Sequence, residues 1–275
     1  MDTPRNIEEA LPSAPELVLD LLVADGGELP SAALCRAGAL FGLAPAVMRV
    51  ALTRLLAQGK IRRSHRGLYA IERGRHPLTE AVDGWWLRQR EQLDWQGGWV
   101  SVIDGEVLRQ DKTAWRRHQR ALQLRGFAAL SPGLWLRPDN LRGGVAREHG
   151  RLQGLGLAPQ ALVAGLHSLQ PPALERVRGL WQTRELAQRY RTLAAALQRS
   201  ARRLPTRDLA AATRESLLLG RHVIACLLRD PLLPAALSDP RPRERLSALM
   251  RDYQRQARAV CRAFLAQPEA PAPEP

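Results

Sequence analysis

The 275-residue chain has few cysteines and few lysines, and it has no long run of apolar residues. Its three cysteines are too few and too far apart for a disulfide framework or a cysteine zinc site. A bilayer-spanning helix needs about 20 apolar residues, and arginine or aspartate interrupts every candidate run. The N-terminus lacks a basic segment followed by an apolar one. We therefore expect no secretory signal, no membrane partner and a cytoplasmic location.

Although lysine is scarce, the chain is strongly basic. It has 41 Lys+Arg against 27 Asp+Glu and a formal net charge of +14, and Lys60 and Lys112 are its lysines. Such a surplus favours polyanionic partners, either nucleic acid or a phosphate-bearing small molecule. The 45% of hydrophobic residues excludes a largely disordered chain and allows two or three domains. We predict flexible ends at residues 1–14 and 267–275.

Residues 15–76 carry the pattern of three short helices followed by a hairpin. Pro45 is placed where a proline opens the third helix. The apolar residues that this helix is predicted to bury are Val47, Ala51, Leu52 and Leu55. Two short β-type runs, 61–63 and 68–71, flank a turn. Three helices and a basic hairpin are typical of a winged helix-turn-helix domain, which binds DNA.

The side of the third helix opposite the predicted core would enter the major groove. The DNA-contacting residues predicted on this helix are Ala46, Arg49, Val50, Thr53 and Arg54. In the hairpin, Arg62, Arg63 and Arg66 are predicted to contact phosphates or the minor groove. Residues 36–75 hold nine Lys or Arg against the single acidic residue Glu72. The alternative interpretation of this surface is a protein-binding module with solvated arginines.

The rest of the chain divides into a linker and two further domains. Residues 77–96 are predicted to form a linker helix, whose Trp85 and Trp86 pack against the next domain or, alternatively, stack on bases. Residues 97–170 have the pattern strand, helix, strand, strand, helix, strand, which predicts a ferredoxin-like domain. Residues 171–266 are predicted to form a helical C-terminal domain. The predicted fold class is a multidomain α+β protein.

Five segments of the chain together carry a family resemblance. They are MRVALTRL at 48–55, WQGGW at 95–99, RGF at 125–127, GLWLRPDNL at 133–141 and LRDPLLP at 228–234. These segments resemble the PaaX family of bacterial repressors of phenylacetate catabolism. Their order is that of the family, and together they extend over nearly all of the chain. The resemblance implies a homodimer that binds double-stranded operator DNA and is released by an aryl-coenzyme A thioester such as phenylacetyl-coenzyme A. It also implies that the central domain resembles the small ferredoxin-like proteins of CRISPR adaptation.

A coenzyme A thioester needs arginines for its phosphates and an apolar slot for its acyl group. The C-terminal domain offers both kinds of residue. The candidate effector-binding residues are Trp181, Arg184, Tyr190, Arg191, Arg221 and Arg229. The alternative interpretation is that the arginines are solvated and that both aromatic side chains belong to the core.

The sequence has no motif that predicts an enzyme, a cofactor or a metal site. Its six histidines lack metal-binding spacing, and no glycine-rich phosphate loop follows a strand. Asp104, at the end of the first central strand, leaves one catalytic alternative: two copies across a dimer could hold Mg²⁺ for phosphodiester hydrolysis. Three hypotheses follow, namely a ligand-responsive repressor, a metal-dependent nuclease and a scaffold whose winged helix binds protein.

Overall fold

The computed structural model describes residues 11–65, 67–72, 85–105 and 110–267. Within these ranges the chain has an α+β fold with nine α-helices and two antiparallel sheets. The chain separates into two compact units. Unit 1 combines the described residues up to 72 with 194–224 and 248–267. Unit 2 combines the described residues of 85–193 with 225–247.

The N-terminal part of unit 1 contains three helices and a small sheet. In chain order its elements are α1 (Ala14–Asp25), β1 (Leu29–Pro30), α2 (Ser31–Ala39), α3 (Pro45–Ala57), β2 (Ile61–Arg63) and β3 (Leu68–Ile71). Strand β3 lies between β1 and β2 and is antiparallel to both. Helix α1 begins after Ser13, whose backbone N–H donates to the Glu16 carboxylate at 3.0 Å, and ends at Gly26 with φ 74°.

Unit 2 contains the larger sheet. Its elements in chain order are a 3-10 helix (Trp85–Glu91), β4 (Trp99–Ile103), α4 (Lys112–Leu124), β5 (Ala128–Ser131), β6 (Leu134–Pro138), α5 (Gly144–Leu155), β7 (Leu162–Leu166) and α6 (Pro171–Arg178). The strand order across the sheet is β5-β6-β4-β7, with all neighbours antiparallel. Strand β6 therefore lies between the two strands that α4 connects.

Three long helices complete the described chain. They are α7 (Thr183–Arg203), α8 (Leu209–Leu228) and α9 (Arg241–Leu265), with a 3-10 turn, Leu204–Thr206, between the first two. The division between the two units falls inside each of these helices. None of the helices in the described ranges combines the length and the apolar character needed to cross a membrane. The domain boundaries inferred from the sequence remain predictions.

The core of unit 1 joins segments that are far apart in the sequence. The buried residues of α1 that contribute are Ala14, Leu17, Val18, Leu21 and Leu22. Cys261, Phe264 and Leu265 of α9 belong to the same cluster. Arg36 of α2 donates to the carbonyl of Leu265 at 2.6 Å. Helices α1 and α2 are thus packed with α9.

The inner face of α3 differs from the predicted face at one position. Val47 was expected in the core, but its side chain is 48% exposed, whereas Met48 is fully buried. Met48, Ala51, Leu52 and Leu55 repeat at i, i+3, i+4 and i+7, which is the spacing of one helical face. Gly38 of α2 gives the methionine room, since a Cβ atom there would lie 2.7 Å from Met48 Cγ.

The core of unit 2 contains a buried ion pair. Arg125 Nε and Glu148 Oε1 are 2.7 Å apart, and a second guanidinium nitrogen lies 2.6 Å from Oε2. Burial raises the pKa of Glu148, but the hydrogen bond from Arg125 and the charges of Arg125 and Arg137 outweigh it and lower the pKa below its ordinary value. Arg137 is fully buried, and burial lowers its pKa to about 10. A bidentate pair of this kind fixes α5 against the end of α4.

Buried hydrogen bonds join this ion pair to residues 228–234. Arg137 donates to the backbone carbonyl of Arg125 at 2.7 Å, and Asn140 donates to the carbonyl of Leu232 at 2.7 Å. Gly126 has φ 77°, and a Cβ atom there would lie 2.4 Å from Pro231 Cα. Unit 2 therefore brings together three segments that are distant in the sequence.

Met48→Ala should destabilise unit 1, and its neighbour Val47→Ala provides the matched control. Removing the buried side chain leaves a cavity beside Gly38 and should lower the free energy of unfolding by about 2–5 kcal/mol. The exposed valine should change it by less than about 0.5 kcal/mol. Amide hydrogen exchange of residues 45–57 measures the free energy of unfolding of both variants. Equal effects of the two substitutions would contradict the assigned inner face.

Glu148→Gln should make unit 2 less stable at neutral pH by about 3–5 kcal/mol, because it leaves the Arg125 charge buried without a counter-charge. The pKa of Glu148 is lowered from 4.5, so its stabilisation is present above this value and is lost as the pH falls towards the folded-state pKa. The difference between variant and wild type should therefore shrink in acid. Tryptophan fluorescence reports unit 2, because all seven tryptophans lie in it. A pH-independent difference would refute the ionised pair.

Candidate nucleic-acid interface

The outer face of α3 presents every residue that the sequence analysis assigns to DNA contact on this helix. Ala46, Arg49, Val50, Thr53 and Arg54 are all exposed. Val50 has 68% of its surface exposed. The Thr53 hydroxyl donates to the carbonyl of Arg49 at 3.2 Å, which occupies its hydrogen and leaves its oxygen able to accept. The helix thus displays two arginines beside small and apolar side chains.

The hairpin adds basic side chains next to this helix in the sequence. Ile61 of β2 is buried, and the following Arg62 and Arg63 are exposed. Arg62 lies 3.4 Å from a Glu28 carboxylate oxygen, and Ser64 donates to the other oxygen at 2.7 Å. Arg66 lies outside the described residues.

The arginines of this surface differ in their pairing from others in unit 1. Arg221 pairs with Glu16 and Asp20 of α1, and Arg262 pairs with Asp25. In the part of the chain that the structure describes, no ion pair or hydrogen bond engages the guanidinium groups of Arg49, Arg54 and Arg63. An exposed arginine without a carboxylate partner keeps its full charge for an anion. We define these three side chains, with Ala46, Val47, Val50 and Thr53, as the α3 surface.

The two aromatic residues of the predicted effector site contribute to the packing of unit 2. Trp181 stacks on Trp99 with ring centroids 6.3 Å apart, and its indole N–H donates to the carbonyl of Gly126 at 3.1 Å. Tyr190 is 4% exposed, and its hydroxyl donates to Asp230 Oδ2 at 2.6 Å. Burial, and then the charge of Asp230, raise the pKa of Tyr190. The polar atoms of both aromatic side chains are thus bonded within the protein.

The four predicted effector arginines fall into different settings. Arg221 belongs to unit 1, where both of its carboxylate partners are 2.6 Å away. The other three belong to unit 2, where Arg184 and Arg191 are exposed. Arg229 is also exposed and donates to the carbonyl of Ala225 at 3.4 Å. The described contacts of Arg221 thus fix α8 to α1, which is a structural role.

Asp104, the residue of the nuclease alternative, is buried directly after β4. Its Oδ2 lies 2.9 Å from His118 Nε2 and accepts from the indole N–H of Trp135 at 2.8 Å. Within the described residues, its Oδ1 has no hydrogen-bond partner. The described ranges also contain no cluster of three His, Cys, Asp or Glu side chains arranged for a metal. The contacts of Oδ2 give this carboxylate a structural role.

The contacts of His118 identify the tautomer that suits this cluster. Its Nδ1 accepts a hydrogen bond from the backbone N–H of Ala158 at 3.1 Å. A ring nitrogen that accepts carries no hydrogen, so the network assigns the hydrogen to Nε2, which donates to Asp104. A neutral imidazole therefore connects α4 to the end of β4 and to the segment before β7.

Val47 is the residue of the α3 surface that the sequence analysis missed. Apolar character suggested burial, and its spacing to Ala51 and Leu55 also fits one helical face. The stronger signal is the i, i+3, i+4, i+7 series that begins at Met48. A glycine in the preceding helix, Gly38, is the second signal, because close helix packing needs a small residue opposite a large one.

The fold and these sites define an α+β protein with a basic, exposed helix face. Neither a protein-family model nor a curated protein matches the chain. The chain is similar to a solved structure, the uncharacterized protein Rv0674 from Mycobacterium tuberculosis, with 23% sequence identity and a TM-score of 0.60. That match covers 92% of this chain and 98% of the other. At this identity the likeness establishes a common fold alone.

Asp104→Ala should destabilise unit 2, because it leaves the N–H groups of His118 and Trp135 buried without an acceptor. Two unsatisfied donors should lower the free energy of unfolding by about 2–4 kcal/mol. Asp104→Asn is the matched control, since its amide oxygen keeps one acceptor, and its effect should be smaller. Chemical denaturation followed by tryptophan fluorescence compares the two. An alanine variant as stable as the wild type would exclude the structural role.

Proposed function

We propose that the chain is a PaaX-like DNA-binding transcriptional regulator. In this proposal it is a homodimeric repressor of an aromatic-acid catabolic operon, and an aryl-coenzyme A thioester such as phenylacetyl-coenzyme A releases it from its operator. The observation that carries the proposal is the α3 surface, on which three exposed arginines lack a described partner.

The arrangement of unit 1 supports DNA binding. We interpret α1, α2, α3 and the hairpin β2–β3 as a winged helix-turn-helix, with α3 as the recognition helix and the hairpin as the wing. A recognition helix must bury one face and expose the other, as α3 does. Arg49 fits a guanine edge or a phosphate, and Arg63 fits a phosphate. Each phosphate contact would displace counterions from the duplex.

The arrangement of unit 2 supports the resemblance to the PaaX family. We interpret its strand order as the split βαβ, or ferredoxin-like, arrangement. The family-like segments 125–127, 133–141 and 228–234 meet in unit 2 through the bonds Arg137–Arg125 and Asn140–Leu232. Arg88 adds bonds to the carbonyls of Leu124 and Asp230. The resemblance thus rests on residues that pack together and not on isolated matches.

The proposed mechanism is a coupling between two sites. The thioester must bind the DNA-free arrangement of the dimer more tightly than the DNA-bound one. Bound DNA must therefore lower the affinity of the protein for the thioester. We place the effector arginines at Arg184, Arg191 and Arg229, which are exposed. The described contacts of Trp181 and Tyr190 are internal, so their role would be to shape the site and not to bond the ligand.

Arg49→Ala should weaken DNA binding without affecting folding. If the guanidinium contacts a base, affinity for the cognate duplex should fall by about 1–3 kcal/mol and the preference at one base pair should relax. If it contacts a phosphate, all duplexes should lose affinity and the salt dependence should become shallower. Fluorescence anisotropy at several salt concentrations distinguishes the two cases.

Arg262→Ala is the control for this experiment, because that arginine is paired with Asp25 in the same unit. It removes an equal charge from a residue that is not part of the α3 surface, and it should leave specificity at each base pair intact. An Arg49 variant with wild-type affinity and salt dependence would remove this residue from the interface.

Phenylacetyl-coenzyme A should lower the affinity for DNA by about 5–150-fold, the range of typical allosteric couplings. Titration of the duplex with and without the thioester measures the effect, with free coenzyme A and phenylacetate as controls. Sedimentation in the same buffer should give the mass of a dimer. Mg²⁺-dependent cleavage that Asp104→Ala abolishes would instead indicate the nuclease, and absence of binding to any duplex would favour the scaffold.

A further inference from the structure

We infer that the α3 surface recognises thymine through its 5-methyl group, and that Val50 is the side chain that contacts this methyl group. The inference rests on the proposed function and adds the chemistry of one base that the helix reads. It starts from an apolar patch at the middle of the α3 surface, formed by Ala46, Val47 and Val50, which we call the valine patch.

The valine patch is open to solvent, and Val50 has the largest exposed fraction among the exposed large hydrophobic residues of the described chain. Val50 is 68% exposed and Val47 is 48% exposed. Residues three and four apart on a helix are neighbours, so Val50 adjoins both other members of the patch. Aliphatic surface gains free energy when a partner removes it from water, and contiguous exposed apolar surface marks an interaction site.

The surroundings of the patch indicate the kind of partner. Arg49 and Arg54 border it on the same helix, and in the described residues neither has a carboxylate partner. The partner must therefore present anionic groups around a surface that offers a small apolar group. The major groove has this form, since two rows of phosphates border a floor of base edges.

Thymine is the base that supplies the apolar group. Guanine, adenine and cytosine present hydrogen-bonding atoms in the major groove, whereas thymine adds a methyl group at C5. A valine side chain cannot hydrogen-bond, so the thymine methyl is its matching contact. Val50 is the more exposed of the two valines and is four residues from Ala46 and three from Thr53 on the outer face. It is therefore the member assigned to the base.

The experiment removes the methyl group from the DNA and its contact from the protein. A duplex is first selected from a random-sequence pool with the full-length protein. Each thymine is then replaced in turn by deoxyuridine, which differs only by the missing methyl group. At one position per half-site, this change should lower wild-type affinity about fourfold, the effect of one buried methyl group.

Val50→Ala removes the other partner. Because the substitution removes the contact from both half-sites of the dimer, the variant should bind the thymine duplex about 15-fold more weakly than the wild type. It should bind the deoxyuridine and thymine duplexes with the same affinity. Leu162→Ala is the matched control, because it shortens another exposed aliphatic side chain, 59% exposed on β7 in unit 2. This control should keep the wild-type loss at the deoxyuridine position.

The possible outcomes separate the inference from the proposed function. If the protein selects and binds a duplex but no replacement of thymine by deoxyuridine lowers its affinity, the inference is overturned and DNA binding stands. If Val50→Ala retains the full methyl dependence, another side chain reads the base and the assignment to Val50 is wrong. If no duplex is bound at any salt concentration, the proposed function itself fails. Circular dichroism of the exposed-site variants should match the wild type, which excludes misfolding as the cause.

Discussion

The packing of Met48 against α2 is the contact on which the presentation of the basic surface depends. Helix α3 is held by one face, whose side chains enter the core of unit 1, and a glycine opposite the methionine lets the two helices approach closely. Once this face is fixed, helix geometry determines which side chains point outward. The arginines and valines of the α3 surface are therefore exposed as a consequence of core packing.

Local periodicity made much of the secondary structure predictable. Strands β2 and β3 have the bounds of the predicted β-type runs, 61–63 and 68–71, and α3 begins at Pro45 as predicted. Helix α4 also begins at a local signal, since the side chain of Asp111 accepts bonds from the N–H groups of Thr113 and Ala114. The α+β class is confirmed. These features depend on residues that are close together in the sequence, so they can be predicted from it.

Features set by partners far along the chain could not be predicted in the same way. The partners of Arg221 precede it by about 200 residues, so the sequence alone could not reveal that its charge is already neutralised. The same applies to Asp104, which satisfies a histidine and a tryptophan from two other elements. The wrong prediction that Val47 and not Met48 lies in the core had a different origin. Both residues are apolar, and a step of one residue turns a helix by only about 100°.

The discontinuity of unit 1 has a consequence for the order of events during synthesis. Phe264 and Leu265 belong to the same buried cluster as the first helix of the chain, and Arg36 is bonded to a carbonyl at residue 265. A ribosome makes residues 11–72 long before it makes residue 265, so the basic helix face emerges early on an incomplete core. The nascent chain must hold this segment unfinished until residues 261–265 have been made. Helix α9 thus closes a compact unit that α1 begins.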